Sequence, residues 1–490
     1  MSRSVVCRSG QAIARADVPD LSVADLRAEV LRLAGQGGRV VALFGTPEGE
    51  GTVRLVAVVA DDRAHSLAVT SARVRGSWPS LTPELPEVHL FEREIAERWG
   101  VVPEGHPWPK PVRFPKGDVG LTDFFRIEGS EVHEVAVGPV HAGVIEPGHF
   151  RFQCHGERVI HLEISLGYQH RGVERALVGG PDRRTLHLLE TTAGDTTIGH
   201  ALAYAQALES LQGREAPPRA RALRAVSLEL ERLANHTGDL GALANDVGFL
   251  PTAAFCGRLR GEFLNLSAQL CGSRFGRGMV VPGGVRFDID APRLQEFLPR
   301  LEQAYADVQV AAKLLWNTAS VAGRFEGTGT VSPETCQRLG LVGPAARACG
   351  VLRDVRLDHP TGAYVDAPVP ISTWRTGDVF ARAMVRYYEI KTSVAFVQQL
   401  LAALPAGPIL ADGAPTLGPD RLAVSLVEGW RGEIAHVALT DAAGRFATYK
   451  IVDPSFHNWM GLAMALRDEQ ISDFPLCNKS FNLSYCGYDL

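Results

Sequence analysis

Residues 223–249 read LRAVSLELERLANHTGDLGALANDVGF, and Leu223, Val226, Leu230 and Leu233 recur at the spacing of one helical face. Two further stretches carry a helical pattern: 197–212, which starts with a threonine suited to cap it, and the run from Val379 through Val385 and Tyr388 toward Leu401. Three long helices with apolar faces predict a bundle core. Short apolar runs at Phe150–Phe152, Val159–Leu162, Ile434–Leu439 and Arg445–Tyr449 are expected to decorate that bundle as peripheral strands.

Working outward to the N-terminal side, the texture changes. Ser22 with Asp25 has the form of a helix cap, and Leu26, Val30 and Leu33 follow at helical spacing. Val40–Phe44, Val53–Val59 and Ser66–Thr70 read as strands, the first two joined by a turn at 45–49. Pro103, Pro107, Pro109, Pro111 and Pro115 then exclude helix and predict an extended strap. The expected class is α+β. A small N-terminal α/β sheet domain spans 1–118, and a mainly helical bundle domain spans 119–490.

With 490 residues, 46% of them hydrophobic and 21% charged, the chain is long enough for two cores. A formal net charge of -5 gives no footprint for nucleic acid, and no polybasic run suits anionic lipid. Neither a secretory leader nor a run of eighteen apolar residues is present, which predicts a cytoplasmic chain without a direct membrane span. The glycines of the 45–49 turn lack the following Gly-Lys-Ser/Thr of a phosphate loop, and no dinucleotide-binding glycine pattern occurs. The eight cysteines form no Cys-x-x-Cys pair.

Six segments in order carry a family resemblance. FEREIAERWGVVPEGHPWP (91–109) resembles the small hydrophilic core subunit of respiratory complex I. GPVHAGVIEPGHFRF (138–152), GYQHRGVERAL (167–177), ELERLANHTGDLGALANDVGF (229–249), GDVFARAMVRYYEI (377–390) and EGWRGEIAHVALTDAAGRFATYKIVDPSFHNW (428–459) resemble the large core subunit shared by complex I and group 4 NiFe-hydrogenases. Fusion of the two in one chain is the arrangement of formate hydrogenlyase large subunits.

In that family two Cys-x-x-Cys half-sites hold a nickel-iron centre. By the resemblance, the first falls on Ala193 and Thr196 and the second on Ser484 and Gly487, inside FPLCNKSFNLSYCGYDL (474–490). Nickel bridged to low-spin iron needs soft thiolates, and none of these four residues supplies one. No metal and no cofactor is therefore expected on this chain. The chain ends at Leu490, where a processed hydrogenase subunit would, so metal-gated processing is not expected.

The resemblance places Glu146 where the family has a proton-exchanging carboxylate and Arg431 where it has an arginine over the open metal site. Glu146, Arg431, His200 and Asp195 are the candidate catalytic residues, with Arg431 as electrostatic partner of Glu146 and with Thr196 and Tyr485 facing the same space. A structural Glu146–Arg431 salt bridge in a collapsed cavity is the alternative. The complex I quinone tyrosine falls on Gly194 and its histidine near Glu146, between His141 and His149, which argues against quinone reduction in that manner; Tyr168 and His170 are the nearest substitutes.

The resemblance implies a core subunit of a membrane-associated oxidoreductase complex, working in proton or conformational coupling. Its implied partners are a small iron-sulfur subunit, which would hold the cluster, and antiporter-like membrane-arm subunits. Its implied location is the cytoplasmic membrane face, peripheral through those partners. The alternatives are a non-catalytic scaffold, or a quinone-reducing or hydrogenase subunit with an atypical site.

Overall fold

A computed structural model describes residues 3–115, 117–141, 145–413 and 416–490; Ala142, Gly143 and Val144 of the second resembling segment lie outside the described residues. In the N-terminal part, strands Val5–Cys7, Ser66–Val74, Val53–Asp61 and Arg39–Pro47 form a sheet in that order, with Asp20–Leu21 added in parallel beside Ser66–Val74. The helix Val23–Gly35 covers it and starts as expected, Ser22 Oγ accepting from the amide of Asp25 at 3.1 Å. Strand pairing continues through Pro47, so the turn lies at 48–52 rather than 45–49.

The proline-rich strap lies along the helix His89–Trp99. The Glu97 carboxylate accepts from the amides of Val112, Arg113 and Phe114, which fixes an extended segment that cannot build its own backbone ladder. Charged pairs tie this part to the rest of the chain: Arg39 to Glu433, Arg98 to Glu174, and Lys450 to Glu94 at 2.6 Å. Residues 11–14 leave the first sheet altogether and pair with the strand Arg421–Gly429.

The long helices form as predicted, at Thr197–Gln212, Pro218–Asp246 and Val379–Ala402. Leu250–Cys271 and Ala291–Trp316 join them; their apolar stripes were not singled out from the sequence. The expectation of peripheral strands is corrected for the C-terminal sheet. Phe446–Val452, Gly432–Thr440, Arg421–Gly429 and Gln11–Ala14 form an antiparallel sheet, and every residue of Gly432–Thr440 is buried. Ile434–Leu439 is a nearly continuous apolar run, which marks a strand covered on both faces. The helix Thr197–Gln212 packs on this sheet so closely that a Cβ on Gly199 would stand 2.7 Å from Ile434 Cδ1.

Candidate functional site

Four segments converge at the start of the helix Thr197–Gln212. They are residues 193–197, the tip of the hairpin between Arg421–Gly429 and Gly432–Thr440, residues 453–455, and the tail 482–487. Gly429 pairs with Gly432, so Trp430 and Arg431 form a two-residue hairpin tip. That tip projects the Arg431 guanidinium onto the carbonyls of Asn482 (2.5 Å) and Gly194 (2.7 Å) and onto Thr196 Oγ1 (3.0 Å), stacked 3.9 Å over the Trp430 ring.

The expected cap, Thr197, is the first helical residue; Thr196 stands at the cap position, and its side chain does not cap the helix. Its hydroxyl donates to Gly194 O and accepts from Arg431. The carboxylate of Glu231 caps instead, accepting from Ile198 N (2.7 Å) and Gly199 N (3.2 Å). Burial pushes its pKa up to about 8, against the pull of those two amides.

The second expected half-site is occupied by packing. Ser484 Oγ accepts from Gly487 N at 2.9 Å, and a Cβ on Gly487 would stand 2.7 to 2.9 Å from the carboxylate of Asp453. Asp453 in turn opens a hydrogen-bonded chain. Its Oδ2 lies 3.1 Å from His200 Nε2, His200 Nδ1 lies 3.1 Å from His436 Nε2, and His436 Nδ1 lies 2.9 Å from the Tyr449 hydroxyl.

An ionised carboxylate only accepts, so His200 carries a proton on Nε2, and in the form with a single ring proton it accepts at Nδ1. His436 then donates from Nε2 and accepts the Tyr449 proton at Nδ1. All four side chains are at most 1% exposed. Burial opposes ionisation of Asp453, but the hydrogen bond from His200 and the charge of Arg431 hold its pKa below the usual range. Burial and then the neighbouring His200 push His436 well below its ordinary value, so it is a neutral imidazole.

Of the candidate residues, the structure brings Arg431 and Thr196 to one point and puts His200 beside Asp453. Asp195 is not part of this cluster by its side chain: it turns outward, at positive φ, to pair with Arg260 at 3.1 Å, and only its backbone carbonyl accepts from Trp430 Nε1. Glu146 forms no ion pair with Arg431 among the described residues. Its carboxylate accepts from the amides of Cys486 (3.1 Å) and Tyr485 (3.4 Å), at the start of the short helix Tyr485–Asp489. The expected partnership of the two is corrected: the tail lies against each, with Arg431 at Asn482 and Glu146 at Tyr485 and Cys486.

The Tyr485 ring packs on Trp459 and Phe150 rather than lining a polar space. Burial, then the charge of Glu146, raises the Cys486 thiol to about 11. Asp453, His436, Tyr449 and Glu231 were not singled out from the sequence. The one available signal was His436, a lone imidazole inside an otherwise apolar strand.

A thiolate-bound nickel-iron pair does not fit these residues. Ala193 and Gly487 have no donor atom, the hydroxyls of Thr196 and Ser484 are already hydrogen-bonded, and the one nearby thiol is held protonated.

Comparison with known proteins first defines the class. The family described as respiratory-chain NADH dehydrogenase, 49 Kd subunit, matches residues 246–426. The fold is similar to a chain in the structure of the membrane-bound sulfane sulfur reductase (MBS), an archaeal respiratory membrane complex. The TM-score is 0.69 and the identity 25%, over 75% of this chain and 100% of that one. The family match and the fold together thus define a large subunit of the complex I 49 kDa type.

Relatives narrow it. The chain is 29% identical to formate hydrogenlyase subunit 5 of Escherichia coli (strain K12), over 93% of this chain and 85% of the relative. It is 30% identical to hydrogenase-4 component G of the same organism, over 84% and 76%, and 31% identical to the carbon monoxide-induced hydrogenase of Rhodospirillum rubrum, over 71% and 97%. The chain belongs to the complex I 49 kDa-type subunit family, as a homologue of formate hydrogenlyase subunit 5 and hydrogenase-4 component G. Among the described residues, no helix is long and apolar enough to cross a membrane.

Proposed function

We propose that this chain is the core subunit of a membrane-associated, complex I-related oxidoreductase complex of formate hydrogenlyase type, and that it serves proton coupling without a nickel-iron centre. The supporting observation is the buried chain Tyr449–His436–His200–Asp453, which ends against the tail residue that occupies an expected ligand position. Each imidazole stands between two partners, with the Tyr449 hydroxyl as the donor at one end and the Asp453 carboxylate as the acceptor at the other. A proton taken up by the Tyr449 hydroxyl therefore displaces one proton through each imidazole and arrives on Asp453 Oδ2. The two imidazoles return by exchanging tautomers. Glu146, half-buried on the 485–486 amides, is the proton-exchanging group on the outer side of the tail, and Arg431 holds the tail between them.

In this reading a small iron-sulfur subunit packs against the large domain and carries the cluster, and antiporter-like subunits anchor the assembly at the cytoplasmic membrane face. The scaffold alternative draws on Glu146 and Asp453, both of which make ordinary structural contacts.

Replacing His436 separates the two readings. His436→Phe in the assembled complex is expected to lower turnover at least tenfold with subunit composition unchanged, and Glu146→Gln is expected to lower it as well. Turnover at the unsubstituted rate in intact complexes of both variants contradicts proton coupling and leaves the scaffold.

A further inference from the structure

A groove of about 370 Å³ lies away from the tail, where the turn Arg8–Gln11, the end of the helix Thr197–Gln212, the start of Pro218–Asp246 and the short turn Gly362–Tyr364 meet. Its size suits a small-molecule ligand. Four arginines line it against two glutamates.

Only one of those arginines is neutralised in place. Arg224 makes a two-pronged pair with Glu209 at 2.5 and 3.1 Å, and both are buried. Arg221 stands 3.5 Å from Glu215, a carboxylate 86% exposed, which is a weak and screened contact. Arg8 and Arg214 have no carboxylate partner among the described residues. Arg214 donates from one terminal nitrogen to Gly413 O at 2.6 Å, and its Nε is shielded from solvent with no acceptor. The Ser210 hydroxyl, on the same wall, is likewise shielded and without a partner. Shielded donors without acceptors are costly, and a guanidinium presents a planar fork that matches a phosphate or carboxylate.

We infer that this groove is a binding site for a small oxyanion ligand, carrying a phosphoryl group or paired carboxylates, held by Arg8, Arg214 and Arg221. Tyr364 forms part of its wall and donates to Glu229 Oε1 at 2.7 Å, inside the buried ion-pair core, so an occupant of the groove touches a residue wired into that core. The inference is independent of the proton chain, since it uses none of its residues.

Titration calorimetry of the full chain with pyrophosphate and with citrate, against potassium chloride at matched ionic strength, tests it. At least one of the two is expected to bind saturably at one site; pyrophosphate alone indicates a phosphoryl ligand and citrate alone a carboxylate one. Arg214→Gln and Arg8→Gln are each expected to weaken that binding about tenfold or more, and Arg214→Lys to recover part of it. Because Arg8 is exposed, Arg8→Gln is read even if the Arg214 variants fold poorly. No saturable binding of either probe, or equal binding by Arg8→Gln in correctly folded protein, overturns the inference.

Discussion

Two buried polar regions of this molecule are built in opposite ways. Between the helices Pro218–Asp246 and Val379–Ala402, carboxylates and guanidiniums close on each other. Glu389 takes Arg347 at 2.7 Å and His236 at 2.7 Å, Glu229 takes Arg232 at 3.1 Å and Arg356 at 3.2 Å, and Asp239 takes Arg386 at 2.7 Å. Burial opposes ionisation of Glu389, yet Arg347 and His236 hold its pKa well below the usual range. At the tail, by contrast, one carboxylate faces two imidazoles and a phenol in a single file. In the first arrangement the guanidiniums hold Glu389, Glu229 and Asp239 ionised. The second keeps its hydrogen bonds when every proton moves one place, which is what a proton conductor requires and a structural ion pair does not.

Breaking the closed region should have the largest effect. Arg347→Met leaves Glu389 and Glu428 without their shared guanidinium, and the expected loss is about 3 to 5 kcal/mol of stability in urea unfolding. A loss no greater than an exposed substitution would show that the region is not closed.

A smaller effect is expected at the tail. Gly487→Cys and Gly487→Ala should each cost about 1 to 3 kcal/mol, because either Cβ meets the Asp453 carboxylate. If the cysteine is accommodated without loss, Asp453 does not fill the space of a ligand.

The most graded effect belongs to Glu231. Its folded pKa of about 8 lies above its ordinary value of 4.5, so its contribution to stability is fully present below pH 4.5 and is lost as pH rises through 8. Unfolding measured from pH 5 to 9 should show this decline in the unsubstituted chain and a flatter profile in Glu231→Gln. Identical profiles would contradict the buried, protonated carboxyl.

The sequence made the two regions unequally legible. The helices were readable because their apolar periodicity is local, and Arg431 stood out in its Gly-Trp-Arg-Gly run. The partnership of Asp453 with His200 was not readable, since the two lie far apart in sequence and meet only when the helix Thr197–Gln212 settles on the C-terminal sheet. Thr197 has the residue type of a helix cap but lies inside the first turn, while Thr196, at the cap position, gives its hydroxyl to Gly194 and to Arg431 of the hairpin tip. Short apolar runs say nothing about how many faces are covered, which is why the C-terminal sheet reads as peripheral from sequence. The pairing of Glu146 with Arg431 failed for a related reason: resemblance assigns positions, but the tail residues 482–486 claim both side chains.

Metal analysis of the purified complex containing this chain, together with hydrogen-deuterium exchange, tests the central claim most directly. The account predicts far less than one nickel per chain and no exchange activity. Stoichiometric nickel with hydrogen-deuterium exchange would contradict it.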